Sequence, residues 1–392
     1  MKKSFAFVKI AALGLAFILS SRAFAFDFGG SVDDLTKFSI QNFKNIGLKQ
    51  QNTLSLWAKI PFTNSGATYL ATEGTFMYQY NSLDLTAGPG NSNLVADLPL
   101  LKFNHFQKFS PSSSLQLSAG RFYVSDQSGY VFLQPSDGAL VQFTSLRFNA
   151  GLYGGYTGLQ NAFNVTELNG PGSAYNYKAG FGQLYDFSSP YFVFAGNIGA
   201  PYLFFNQSVS LEGVFAMGTK GPNGDNTGYN RGYSTLTING PILGSLFYTL
   251  GTTFSTEDFK NLGNLSVFSL AYYFGTFASS ISWSAVYASP HFRGITSNTA
   301  TLAAGDPEYN SLLKTELTGS FKPLSTIFIG LSAGAVFDAP EGTFAYDGVQ
   351  FALNSRFQVF TDLQVGLSAG QYLGKSEEKT KTTITASAVI SF

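Results

Sequence analysis

Cysteine is absent from the 392-residue chain, histidine occurs twice, and charged residues make up only 12%. Without cysteine there is neither a disulfide framework nor thiol chemistry. The two histidines, His105 and His291, sit in no metal-ligand spacing and no Ser/His/acid constellation. No enzyme, metal or cofactor is therefore expected. Past the first 25 residues no apolar run approaches the roughly 20 positions a spanning helix needs, which excludes a helical membrane protein. The charged share is about half that of an ordinary soluble domain. Basic residues show no excess, so the footprint of a nucleic-acid partner is missing as well.

What is present begins with a leader. Lys2, Lys3 and Lys9 form a basic start, Ile10 to Leu19 is apolar, and Ala23-Phe24-Ala25 is a small-x-small cleavage site. The apolar run is too short for an anchor. The expected organisation is a signal peptide over 1–25 and one membrane domain over 26–392. The mature part then carries 19 basic and 23 acidic residues, a net charge of −4. It is rich in aromatics and glycine, with 40 Phe, 21 Tyr and 42 Gly in the chain. An exported, weakly charged chain without spanning helices crosses lipid as a closed sheet, the other way to satisfy every backbone group there.

The last residues show the pattern most clearly. Ile384, Ala386, Ala388, Ile390 and Phe392 alternate with Thr383, Thr385, Ser387, Val389 and Ser391. This is the period-2 signature of a strand with one greasy and one polar face. The same alternation runs through Leu54 to Ile60, Leu146 to Tyr156, Val209 to Met217, Ile281 to Tyr287, Ile327 to Phe337, Val349 to Val359 and Leu363 to Ala369. These alternating stretches lie in segments about 10–14 residues long between the turns, the length of a tilted membrane strand.

Counted back from the C-terminus, the connections alternate in length. Long ones are expected at Gly374–Lys381, Ala339–Tyr346, Pro290–Asn310, Ser255–Gly263, Lys220–Arg231, Leu159–Ser189, Ser125–Ser136, Asn81–Asp97 and Asp33–Gln51. Short ones fall at Phe360–Asp362, Lys322–Ser325, Gly275–Ser279, Asn239–Gly244, Ser145–Leu146, Lys108–Ser114 and Phe62–Ala67, and the pattern blurs at Ala200–Asn206. The fold expected is all-β, a transmembrane antiparallel up-and-down barrel of about 18 strands, with 16 the alternative. Both chain ends lie on the short-turn side. A barrel this wide leaves an aqueous channel.

Leader, alternating strands, unequal loops and the terminal Phe392 together resemble the large bacterial outer-membrane porins. The end strand resembles the assembly signal by which such barrels engage the barrel-assembly machinery. Gly120-Arg121-Phe122, the loop acid Asp126 and Asp137-Gly138 are similar to the alginate-export type of 18-stranded, carbohydrate-selective channel. The resemblance implies an outer-membrane location in a Gram-negative-type envelope, lipid as surroundings, passive diffusion of a small hydrophilic solute, and either a homotrimer or a monomer.

Parity places Lys59, Glu73, Lys102, Arg147, Glu212, Lys314, Glu316 and Arg356 on inward faces. Arg121 joins them, although the pattern slips by one near Gly120. Ionisable groups at mid-membrane depth are costly on the lipid face, so the lumen is where they are expected. Trp57, Tyr153 and Phe328 share the inward parity and offer stacking surfaces. Asp33, Asp34, Asp84, Asp97, Asp225, Glu257, Asp258, Asp306, Glu308, Glu377 and Glu378 read as loop acids. A mildly positive wall under an acidic mouth suits neutral or mildly anionic solutes such as sugars or organic acids. The rival reading is a structural or surface-display barrel whose lumen is blocked by loops, with Leu159–Ser189 as the displayed segment.

Overall fold

A computed structural model describes residues 26–42, 44–82, 84–85, 90–162, 184–188, 190–219, 230–296, 310–340 and 343–392. The expected leader over 1–25 lies outside them, as do 163–183 of the Leu159–Ser189 loop and the loop acids Asp225, Asp306 and Glu308.

Eighteen strands follow one another along the chain. The first six are β1 (Asp27–Gln41), β2 (Asn45–Pro61), β3 (Thr68–Ser82), β4 (Asn91–Ser110), β5 (Ser113–Ser125) and β6 (Leu133–Ser145). Then come β7 (Asn149–Tyr156), β8 (Tyr191–Phe204), β9 (Gln207–Gly218), β10 (Asn230–Leu243), β11 (Leu246–Glu257) and β12 (Asn261–Tyr273). The last six are β13 (Ser280–Ala288), β14 (Leu312–Leu324), β15 (Ile327–Asp338), β16 (Ala345–Gln358), β17 (Leu363–Gly374) and β18 (Lys381–Ser391). Every strand pairs antiparallel with its neighbours in sequence, and β18 pairs with β1. The sheet is thus a closed up-and-down barrel of 18 strands. Closure leaves no unpaired edge.

Register fixes which side chains share a face. Leu54, Leu152, Phe194, Phe254, Leu331, Phe351 and Leu367 are all well exposed on the outer face. Lys37, Lys49, Thr385 and Ser387 share the inner one. An apolar outside and a polar inside invert the soluble arrangement and match a wall standing in lipid.

The seam that closes the barrel is made by the two chain ends. Phe392 and Gly30 exchange two backbone hydrogen bonds of 2.9 Å. The Phe392 ring lies over Gly30, where an added Cβ would stand 2.8 Å from Cζ of the ring. Only a glycine leaves the ring that room.

Three expected connections are corrected. Asp33–Gln51 is not a loop: β1 and β2 pair from Asp27↔Lys59 to Gln41↔Asn45 across a three-residue turn. Ser255–Gly263 shortens to the turn 258–260, and Ala200–Asn206 is strand up to the tight turn Phe205–Asn206. The cause is shared by the first two. Their charged residues read as a solvated loop, yet a polar lumen solvates charges on a strand equally well. Asp33, Asp97 and Glu257 are accordingly wall residues on the lumen side and Asp34 stands on the outer face of β1, so the expected acidic mouth loses four of its acids.

Candidate functional site: a lumen narrowed by two inward loops

The connections of one barrel rim are short turns; those of the other include the long loops. From the loop rim two segments fold down inside the barrel. The first, 126–132, is built around the carboxylate of Asp126, which is 5% exposed. Its Oδ1 accepts the backbone N–H of Val131 (3.1 Å) and Phe132 (2.8 Å). Its Oδ2 accepts the Ser128 N–H (2.8 Å) and the Ser128 hydroxyl. A loop wound on one carboxylate is stiff, because each released donor would be left without a partner. Its tip crosses to β9. The Gln127 N–H donates to Glu212 (2.7 Å), and the Ser210 hydroxyl donates to the Gln127 side chain (2.8 Å).

The second segment, 289–296, packs beside the first. Ile295 donates its N–H to the Val131 carbonyl (2.7 Å), and Leu133 donates to the Thr296 hydroxyl (3.1 Å). Phe292, Ile295, Val131 and Phe132 are buried against inward-facing Tyr191, Val193, Val214, Tyr233, Leu265 and Val286. The barrel therefore holds an apolar core inside its lumen, on the side of β7 to β14. Removing this surface from water is the main force holding both segments in. A buried cation anchors it: Arg231 is 1% exposed, its Nε is 3.3 Å from Glu257, and it donates to the Gly294 carbonyl (3.0 Å). The Tyr233 hydroxyl donates to the Arg293 carbonyl (2.7 Å).

The rest of the lumen wall, β14 through β18 to β4, is polar. Lys59, Glu73, Lys102, Lys314, Glu316 and Arg356 all carry the inward parity there. Lys314 and Glu316 form an ion pair of 2.8 Å. Lys59 stands 4.6 Å over the Tyr69 ring and Lys102 5.0 Å over Phe122. Lys37 and Lys49 are direct cross-strand partners on the same wall. Near the turn rim, Phe328, Asn354, Arg356, Gln364, Ser368, Thr385 and Ser387 line a hollow of about 380 Å³. Trp57 and Tyr153 also face inward; Tyr153 is buried edge-on against Phe122, while Trp57 is exposed beside Gly29.

Two sequence-predicted residues stand elsewhere. Arg147 is exposed in the β6–β7 turn. Arg121 points away from the lumen: it pairs in register with Asp137, opposite in parity to inward Phe122 and Tyr153. Its guanidinium grips both Asp137 oxygens (2.9 and 2.8 Å) and donates to the Leu159 carbonyl (2.8 Å). Gln160 donates to Asp137 (2.8 Å), and the Tyr185 hydroxyl donates to the Leu159 carbonyl. Burial raises the Tyr185 phenol above the ordinary tyrosine value against the pull of Arg121, which keeps it a neutral donor. Here β4 and β5 part above the pair Leu101↔Arg121, and residues 159–162 and 184–188 fill the wedge. Gly120 allows the parting with φ +113° at a place where a Cβ would meet the Leu101 carbonyl oxygen at 2.1 Å. Arg121 thus escapes the lipid cost through a carboxylate and a covering loop, rather than through water in the pore.

Arg231, Glu257, Gln127 and the 291–296 segment escaped the sequence reading. Arg231 and Glu257 stand at the ends of strands, where a charge reads as part of the adjacent loop. Their inward parity with Tyr233 and Ser255 was the available signal.

No family model matches the chain, and no curated protein matches it. Solved structures do. OccK9 (OpdG) of Pseudomonas aeruginosa superposes with a TM-score of 0.61 at 9% identity, over 94% of this chain and 98% of its own. The outer membrane protein OpdK of the same organism gives 0.57 at 10%, over 93% and 99%. OccK2 (OpdF), solved in complex with glucuronate, gives 0.57 at 11%, over 95% and 99%. The fold is that of these outer-membrane barrels. Their coverage is nearly complete in both directions.

Proposed function

We propose that the protein is an outer-membrane channel, exported by the leader over 1–25, through which small hydrophilic solutes diffuse passively. The observation that carries this is the closed 18-stranded wall with a polar, partly exposed lining from β14 through β18 to β4. Barrels of that strand number enclose an aqueous path. The inward core of the two loops narrows the path to that side.

The solute class is read from the lining. The hollow at Arg356 offers one guanidinium, three hydroxyls, two amides and the Phe328 ring. That set suits a sugar or organic acid with one carboxylate, the guanidinium taking the charge in a fork. Glucuronate, bound in OccK2, has this chemistry. Lys37, Lys49 and Lys59 extend the same sign along the wall. The inward packing of 126–132 and 289–296 favours the rival display barrel with a blocked lumen, and one measurement separates the two. Reconstituted in a planar bilayer under a salt gradient, the channel is expected to conduct and to prefer anions. Lys37→Glu with Lys49→Glu is expected to shift the reversal potential toward cations. A bilayer that stays sealed at all voltages rejects the channel and leaves the display barrel.

A further inference from the structure

The outward wall is largely apolar, and besides the Thr252–Asn264–Ser266 cluster and the Arg121–Asp137 pair a further polar interruption stands at the middle of β1. Asp34 is seven residues from either end of β1 and shares a face with Val32 and Phe38, both exposed to lipid. Its cross-strand partners are Asn52 on β2 and Ala388 on β18. Gln50 donates its amide to the Asp34 carboxyl (2.6 Å) and lies 3.3 Å from the Asn52 oxygen, while the Thr36 hydroxyl donates to Gln50. Four polar side chains therefore form one connected patch at half-depth of the wall. An ionisable group at that depth on the lipid side is expensive and rarely idle.

We propose that this patch is the contact surface for a second copy of the same barrel, related by a twofold axis. The patch is self-complementary. Asn52 is exposed, and among the described residues no bond uses its amide nitrogen, so it presents a donor. Asp34, its direct neighbour, presents an acceptor. A twofold axis between two such pairs sets each Asn52 donor on the other copy's Asp34 carboxyl, which is the geometry of an isologous contact. Ala386 and Ala388 border the patch and let two walls approach closely. A head-to-tail contact would instead need a complementary cation elsewhere on the outer wall. Among the described residues the mid-wall outward cation is Arg121, and it is already held by Asp137.

The absence of cysteine makes the test clean. Leu54→Cys protein, with the cysteine at the next outward position of β2 beyond Asn52 so that the patch stays whole, is reconstituted in phosphatidylcholine vesicles at low protein-to-lipid ratio and oxidised. The reference is Leu250→Cys, outward and exposed on β11, nine strands from β2 and so on the far side of the barrel. The expected result is a disulfide-linked dimer from Leu54→Cys, at least tenfold above the Leu250→Cys background. Asp34→Leu with Gln50→Leu in the Leu54→Cys chain is expected to bring that yield down to background. Because it exchanges polar for apolar groups in lipid, its folding is checked by heat-modifiable gel mobility. A Leu54→Cys yield equal to that of Leu250→Cys, or one unaffected by removing Asp34 and Gln50, overturns the proposal. So does cross-linking in native outer membrane to a different protein instead of to itself.

Discussion

Replacing Asp126 by alanine should release the inward loop while leaving the barrel intact. The carboxylate accepts three backbone N–H groups and one hydroxyl, and it is almost fully buried. Hydrogen bonds to a charged group contribute about 1.5–3 kcal/mol each, which sets a gross ceiling of about 6–12 kcal/mol. The net loss is smaller. Bonds sharing one carboxylate are not additive. Released residues regain about 1–2 kcal/mol of backbone entropy each, and their N–H groups meet water. We expect a net shift of about 3 kcal/mol toward the released loop, or roughly a hundredfold in its population, since 1.4 kcal/mol is a factor of ten. Hydrogen exchange reads this directly. The Val131 and Phe132 amides should lose about two decades of protection, whereas amides of β16 and β17 should keep theirs. Single-channel recordings should show a larger and noisier conductance. Asp126→Asn, which keeps one acceptor oxygen, should fall between. Unchanged protection at Val131 and Phe132 would refute the claim that this carboxylate holds the loop.

Two other perturbations test the seam and the outer latch. Gly30→Val places a Cβ about 2.8 Å from both the Phe392 ring and the Ser55 carbonyl oxygen, which cannot move out of the ladder. An overpacking penalty of about 1–3 kcal/mol should slow closure, seen as a smaller fraction of the compact, heat-modifiable gel band; a wild-type fraction contradicts it. Arg121→Ala leaves Asp137 with Gln160 alone and the Leu159 carbonyl with Tyr185 alone. Breaking such a pair costs about 3–5 kcal/mol, so the amides of 160–162 and 184–188 should lose hydrogen-exchange protection; wild-type protection there shows that Arg121 does not latch these residues.

The comparison of strand and loop shows what kind of information a sequence holds. The strands from Leu54 to Ile60 and from Thr382 to Phe392 were legible because alternation is a local property of extended backbone. It needs no knowledge of what lies across the sheet. Parity then placed Lys59, Glu73, Lys102, Glu212 and Arg356 on the wall facing Lys37 and Ser387. It failed at Arg121, where β4 and β5 separate, and at Arg147, which lies in the β6–β7 turn. It also misread Asp33 to Gln51, since charge density signals water but does not distinguish a loop from a lumen.

The sequence by itself determined a closed sheet: no spanning helix, no disulfide, period-2 strands of membrane length, and a count near 18. Those follow from covalent geometry and from the cost of bare backbone in lipid. What fills the barrel was decided by tertiary structure alone. Gln127 meets Glu212 across 85 positions, and Leu133 meets Thr296 across 163. Neither contact leaves a local trace, because the energy that draws the loops inward comes from apolar surface supplied by strands far away in sequence. The same holds for Asp34, which looks like any polar residue until closure sets β18 against β1 and turns its side chain toward lipid.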